Sequence, residues 1–248
     1  MNKSRVIAVI PARYGSTRFP GKPLADIAGK PMIQWVYECA AACKTVDQVL
    51  VATDDERILE RVAAFGGQAV MTSSEHTTGT DRIAEAVAGM EGDIILNLQG
   101  DEPLMPADVI DVLIERLQNS EAEMGTVAVP FGLTDRDPAD ENAVKVVVDD
   151  DGYALYFSRA QIPFHRKGGK AVAPLLHWGV YAYRRDFLTK FVTWPAGRLE
   201  ACEMLEQLRA LENGARILVI QASSQTLGVD LPEDVKKVEQ ILKQREAL

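Results

Sequence analysis

Three cations, Arg13, Arg18 and Lys22, fall within ten positions of one another between Pro11 and Pro23. Gly15, Pro20, Gly21 and Pro23 make that stretch a shaped loop rather than a helix. It follows an apolar run at residues 6–10, so the cations sit beyond the end of a first strand. Several cations and free backbone N–H groups at such a place suit a polyphosphate, and would offset charge building on its oxygens. The plainer reading is a solvated basic loop on an acidic protein; the strand-end position favours phosphate. Lys22 is followed by Pro23 rather than by the Ser or Thr of a P-loop, and no Gly-x-Gly-x-x-Gly fingerprint occurs.

Carboxylates mark two other loops. Gln99-Gly100-Asp101-Glu102-Pro103 follows an apolar run at residues 94–98, and Gly100 permits a tight turn that projects Asp101 into a crevice. Asp230 follows Gly228 and precedes Pro232. Magnesium takes one or two carboxylates, with substrate phosphates and water completing its shell, so Asp101 and Asp230 fit as ligands. Taken alone, Asp230 reads as a turn or cap residue.

Thr72, Gly79, Thr80 and Arg82 surround another strand-end loop, where hydroxyls and an arginine could hydrogen-bond a polar ligand; Thr80 could equally cap a helix. His76 reads as a surface histidine. Arg159 follows an apolar strand and could supply a fixed cation to an anionic ligand. His177 and Tyr181, four apart on a strand, share a face. Glu206 and Gln207 fall on an amphipathic helix at 200–211, where residue type alone favours a solvated face. Cys39, Cys43 and Cys202 are an odd count, not a disulfide framework; Cys39 and Cys43, four apart on a helix, could share a face but read as two small buried residues, since no further ligand sits nearby. No Ser–His–Asp or Cys–His arrangement suggests a covalent nucleophile.

The elements that must position these residues alternate. Strands are expected at 6–10, 49–52, 69–71 and 94–98, with helices at 31–42, from the Thr53 cap to about 65, at 80–90 and at 107–117. Thr53 and Glu56 form a capping-box pattern before the second helix. This alternation predicts an α/β fold, a Rossmann-like, mostly parallel sheet flanked by helices. From 124 to 183 the pattern turns to strands, at 124–129, 143–148, 153–157 and 178–183. A smaller antiparallel extension over 124–195 is therefore expected within one α/β domain spanning 1–248. A helix at 200–211, a strand at 217–220 and a helix at 232–242 close the chain.

The 248 residues carry a net charge of −9, which disfavours nonspecific nucleic-acid binding but permits a locally basic pocket. No apolar stretch approaches the roughly 20 residues that span a bilayer. The polar start runs straight into a short strand, so a cytoplasmic protein is expected, without membrane insertion.

The loop from Arg13 to Pro23 resembles the signature of the 3-deoxy-manno-octulosonate (Kdo) cytidylyltransferases, the CMP-Kdo synthetases, whose R-Y-x-S-T-R-[LF]-P-G-K-P motif it matches in full. The resemblance continues through Ala52-Thr-Asp54, Gly79-Thr-Asp-Arg82, the segment from Asn97 to Pro103, that from Ala154 to Arg159, Gly179-Val-Tyr181, that from Glu203 to Arg209, and Gly228-Val-Asp230. It implies a nucleotide-sugar transferase type of fold and transfer of CMP from CTP to the anomeric hydroxyl of Kdo, supplying the activated sugar for lipopolysaccharide synthesis. It further implies Mg2+ held by Asp101 and Asp230. Arg13, Lys22 and Asp101 would be catalytic; Ala12, Arg13, Ser16, Lys22, Thr72, Thr80, Arg82 and Gln99 would bind the nucleotide. Arg159, His177, Tyr181, Glu206 and Gln207 would line the sugar pocket, with a homodimer built through the 124–195 extension. One departure stands out: Leu231 occupies a position where the family has a threonine that caps the last helix. The alternatives are a cytidylyltransferase for an amino-modified Kdo or a sialic acid, a metal-dependent glycosyltransferase, for which Gln-Gly-Asp-Glu is a poor Asp-x-Asp motif, and a non-catalytic CTP-binding protein.

Overall fold

The computed structural model describes residues 4–15 and 19–246, and the chain divides into two compact units, residues 1–111 with 226–248, and residues 112–225. In chain order the elements of the first stretch are β1 (Val6–Ala12), β2 (Asp26–Ile27), β3 (Lys30–Pro31), α1 (Met32–Ala41), β4 (Gln48–Thr53), α2 (Glu56–Ala64), β5 (Ala69–Met71), α3 (Gly79–Val87), β6 (Ile94–Asn97) and α4 (Ala107–Gln118). They are followed by β7 (Met124–Pro130), β8 (Lys145–Val148), β9 (Ala154–Ser158), β10 (Leu175–Arg184), α5 (Arg185–Phe191), α6 (Arg198–Glu203), α7 (Gln207–Glu212), β11 (Ile217–Gln221) and α8 (Pro232–Glu246).

The first unit is a parallel sheet in the order β6-β1-β4-β5. Val6 to Ile10 of β1 are wholly buried. A strand covered on both faces has no use for alternation, which is why its sequence is an unbroken apolar run. A second core gathers Ile27, Met32, Leu104 and Val229 with Val238 and Leu242 of α8. The β2–β3 hairpin, Asp26↔Pro31 and Ile27↔Lys30, had no sequence signal strong enough to predict it.

Helix starts differ from expectation in one place. Thr53 is not the cap of α2; it is buried at the end of β4, where its hydroxyl accepts from the Asp55 N–H at 3.2 Å. Asp55 caps instead, accepting from the Arg57 N–H at 3.0 Å. An in-sheet residue cannot also turn its side chain back over a helix end. At α8, Asp234 accepts from the backbone N–H groups of Asp230 at 3.2 Å and Leu231 at 3.0 Å. That is the reciprocal half of a capping box, and it supports the helix start where Leu231 lacks a hydroxyl.

In the second unit β7 lies between β11, parallel to it, and β10, antiparallel; β8 pairs with both β10 and β9. The expected 124–195 extension falls inside this unit. The helix expected over 200–211 is two short helices, α6 and α7, broken at Met204, which takes a left-handed conformation with φ 52°. The break turns Glu203 onto β9, where it accepts from Tyr156 Oη at 3.0 Å, Ser158 Oγ at 3.0 Å and the Arg159 N–H at 2.6 Å. Those bonds offset the strain of a positive φ at a residue with a side chain. Among the described residues, no helix is long and apolar enough to cross a membrane.

Candidate active site

In the first unit the unusual side chains gather at the carboxyl ends of the parallel strands, where open α/β sheets take ligands. A cleft of about 130 Å³, open to solvent, is lined by Pro11 and Ala12 at the end of β1, by Arg13 just beyond it and by Gln99 after β6. Its other wall is His76 with Thr78, Gly79 and Arg82 around the start of α3. Thr78, not Thr80, caps that helix, accepting from the Asp81 N–H at 3.1 Å. The amino end of α3 therefore brings the positive end of its dipole to the cleft wall.

Arg82 is 2% exposed, and two side chains fix it. It donates to Thr72 Oγ1 at 2.6 Å and to Asp54 Oδ2 at 2.8 Å, while the Thr72 hydroxyl donates to the Thr53 carbonyl at 3.0 Å. Thr72 thus stands behind Arg82 and orients it. Thr80 is buried in the first turn of α3. Gln99 Nε2 donates to Asn97 Oδ1 at 3.2 Å, which leaves the amide oxygen of Gln99 as an acceptor for a ligand donor. Ser16 and Arg18 lie outside the described residues.

His76, read from sequence as a surface histidine, instead lines the cleft and is paired with Glu85. A lone histidine in a polar loop gives no periodic or motif signal; only the fold brings it to the wall. Asp54 is the other residue that sequence reasoning gave no role, because its partner Arg82 lies 28 positions away.

The second cluster centres on Lys22. Its ammonium donates to Asp101 Oδ2 at 2.6 Å and lies 3.7 Å from Asp230 Oδ1. Gly21 holds the preceding turn with φ 71°, and its N–H donates to the Tyr14 carbonyl at 3.0 Å. Two loops far apart in sequence are joined here, because the Val229 N–H donates to the Asp101 carbonyl at 2.8 Å. Gly228 makes this approach possible: a Cβ there would stand 2.9 Å from Glu102 Oε1 and 3.3 Å from the Asp101 carbonyl oxygen. Glu102 is a member that sequence reasoning did not single out. Burial pushes its carboxyl up to about 8, with the negative charges of Asp101 and Asp230 adding to the effect. Among the described residues no group of three or more His, Cys, Asp or Glu side chains could hold a metal by itself.

In the second unit, His177 and Tyr181 share a face, with ring centroids 5.4 Å apart, and Phe157 packs edge-on to His177 at 4.9 Å. Burial drives the His177 imidazole down to about 3, so it is neutral, and raises the Tyr181 phenol well above its usual value. Glu206 is close enough to add to the shift at Tyr181, and its Oε1 lies 3.6 Å from Arg209. Gln207 is 5% exposed and its Nε2 is buried without a hydrogen-bond partner among the described residues. This is not a solvated helix face. A buried, unpartnered amide donor costs stability and suits a ligand acceptor. Arg159 is pinned by carbonyls: Nε donates to Glu203 at 2.7 Å and Nη1 to Glu141 at 3.0 Å.

The pattern of known cytidylyltransferases matches residues 7–217 of this chain. The chain belongs to the cytidylyltransferase family. A relative from Trichlorobacter lovleyi, named 3-deoxy-manno-octulosonate cytidylyltransferase, is 49% identical over 97% of this chain and 99% of its own length. One of the same name from Thermodesulfovibrio yellowstonii is 51% identical over 95% and 97% of the two chains. Among solved structures, a CMP:2-keto-3-deoxy-manno-octonic acid synthetase complexed with CTP superposes with a TM-score of 0.92 at 43% identity, covering 98% of this chain and all of that one. The fold of this cytidylyltransferase is thus the expected mixed α/β one, with a mostly parallel sheet and flanking helices.

Proposed function

We propose that the chain transfers CMP from CTP to the anomeric hydroxyl of 3-deoxy-D-manno-octulosonate, giving CMP-Kdo and pyrophosphate. Relatives of about half-identical sequence over nearly the full length carry that name, and the site has the parts the reaction needs. The observation that carries the reading is the meeting of Lys22, Asp101 and Asp230 beyond the strand ends, in the same unit as the Arg13–Arg82–Gln99 cleft.

Arg82, held by Asp54 and Thr72, and Gln99, with its amide oxygen presented, receive the cytosine ring and the phosphates. Cytosine offers an exocyclic amine, which matches an acceptor of that orientation. Arg13 and Lys22 offset charge on the phosphates. The anomeric oxygen attacks the α-phosphorus in line, the bond to the β-phosphate oxygen breaks, and the hydroxyl proton passes to water. Positioning and charge stabilisation lower the barrier; no covalent enzyme intermediate is needed.

Asp101 and Asp230 suit Mg2+. They are two hard oxygen donors converging on one cationic position, now filled by the Lys22 ammonium, with Asp230 well exposed to substrate and water. When bound there, Mg2+ would supply Lewis-acid polarisation of phosphate and sugar oxygens. Arg159, His177, Tyr181, Glu206 and Gln207 form the sugar pocket, where the orphan amide of Gln207 awaits an oxygen. A homodimer through the second unit would cover its exposed Leu155, Phe164 and Val172, and the reaction is assigned to the cytoplasm.

The test is CTP-dependent pyrophosphate release across a panel of sugar acids, with and without Mg2+. Kdo should be the best substrate and turnover should require the metal. Preference for an amino-modified Kdo or a sialic acid would overturn the sugar assignment.

A further inference from the structure

β10 carries an irregularity directly opposite a threonine. His177 pairs with Ala128 and Trp178 with Val127, but the next partner of β7, Thr126, faces Tyr181. Two residues, Gly179 and Val180, are therefore inserted into β10, and their even number keeps His177 and Tyr181 on one face. The side chain of Thr126, wholly buried, fills the bulge. Its hydroxyl lies 2.7 Å from the Val180 carbonyl, 3.1 Å from the Trp178 carbonyl and 3.0 Å from His177 Nε2.

Counting protons settles the direction of each bond. Both carbonyls can only accept, and the threonine hydroxyl has one proton to give. That proton goes to the bulge, chiefly to the closer Val180 oxygen. The contact with His177 must then be made by a proton on Nε2, donated to Thr126 Oγ1. A neutral imidazole carries one N–H, so Nδ1 is left bare.

We infer that Thr126 is a positioning residue for sugar binding: it holds His177 as the Nε2–H tautomer, so that Nδ1 meets the sugar as a hydrogen-bond acceptor. The proposal deepens the reading of His177 as a sugar ligand and rests on it. It explains why a buried threonine faces a two-residue bulge at this point of the sheet. The bulge turns two carbonyls onto one hydroxyl and thereby dictates the state of the ring hydrogen-bonded to it. Kdo presents several hydroxyl donors, and a ring nitrogen that only accepts selects a donor at one place.

The experiment uses imidazole 15N chemical shifts, which separate protonated from bare ring nitrogens. Only three histidines, His76, His165 and His177, need assignment. The substrate-free protein should show His177 protonated at Nε2. Thr126→Val, of nearly the same shape, buries that N–H against a methyl group, so the proton should shift to Nδ1. KM for Kdo should then rise about tenfold, with KM for CTP unchanged. Thr126→Ser should restore both the tautomer and KM. A bare Nε2 in the unmodified protein would overturn the inference without any variant, as would a Thr126→Val protein with normal KM. Failure of the unmodified chain to form CMP-Kdo would instead be a failure of the functional reading, since the tautomer is recorded without substrate.

Discussion

Lys22 Nζ donates to Asp101 Oδ2 at 2.6 Å, so in the substrate-free protein a side-chain ammonium stands where two carboxylates converge. Replacing it with a neutral isostere leaves Asp101 and Asp230 to repel each other. Lys22→Met is expected to lower turnover by about 10²–10³, since a cation aimed at developing phosphate charge is lost. Its Mg2+ affinity, read by calorimetry without nucleotide, should rise rather than fall, because the competing ammonium is gone.

Arg82 is fixed by a bidentate set, Asp54 Oδ2 on Nη2 and Thr72 Oγ1 on Nη1. Lysine keeps the charge but not the fork. Arg82→Lys should raise KM for CTP by about tenfold or more, with kcat less affected, in initial-rate kinetics. The melting temperature should drop by several degrees, because Asp54 loses a desolvated partner.

A methyl group at Gly228 would press on Glu102 Oε1 and on the Asp101 carbonyl oxygen. The first is the end of a side chain and can move; the second is backbone and carries Asp101 with it. Gly228→Ala should therefore cost only about 1 kcal/mol of stability in urea unfolding. Activity should fall by far more than that, because Asp101 shifts.

His177 gives a pH signature. Its folded value is about 3, against about 6.5 in the unfolded chain. Between those values the unfolded chain holds the extra proton, so stability falls as pH falls from 6.5 toward 3. From pH 7 to pH 5 the loss from this group is about 2 kcal/mol. Glu102 has the opposite sign: its raised folded value, about 8, makes stability fall as pH rises from 4.5 to 8. Comparing the unmodified protein with His177→Gln by urea unfolding at pH 7 and pH 5 isolates the histidine part, which the variant should lack.

The sequence was most readable where physics acts locally. Residues 6–10 and 94–98 are apolar runs because both sheet faces are covered, and they appear as β1 and β6. The long basic motif could be recognised whole, and Arg13, Lys22, Arg82, Gln99 and Asp101 all lie at the strand ends of one unit. What could not be read depends on distant partners. The 200–211 helix breaks at Met204 with neither glycine nor proline to mark it, because the stabilising bonds to Glu203 come from β9. His76, Asp54 and Glu102 take their places through residues nine or more positions away, or through burial that no local pattern reports. Leu231 looked like a lost cap, and Asp234, three residues on, was the unseen compensation.

The central claim is tested most directly by following CTP, Kdo and Mg2+ with 31P NMR in the presence of the unmodified chain and of Asp101→Asn. Pyrophosphate and a CMP-sugar phosphodiester should grow in equal amounts with the unmodified chain, and neither should appear with the variant, whose circular dichroism stays that of the folded protein. Equal turnover by the variant, or CTP left intact by the unmodified chain, would contradict the account.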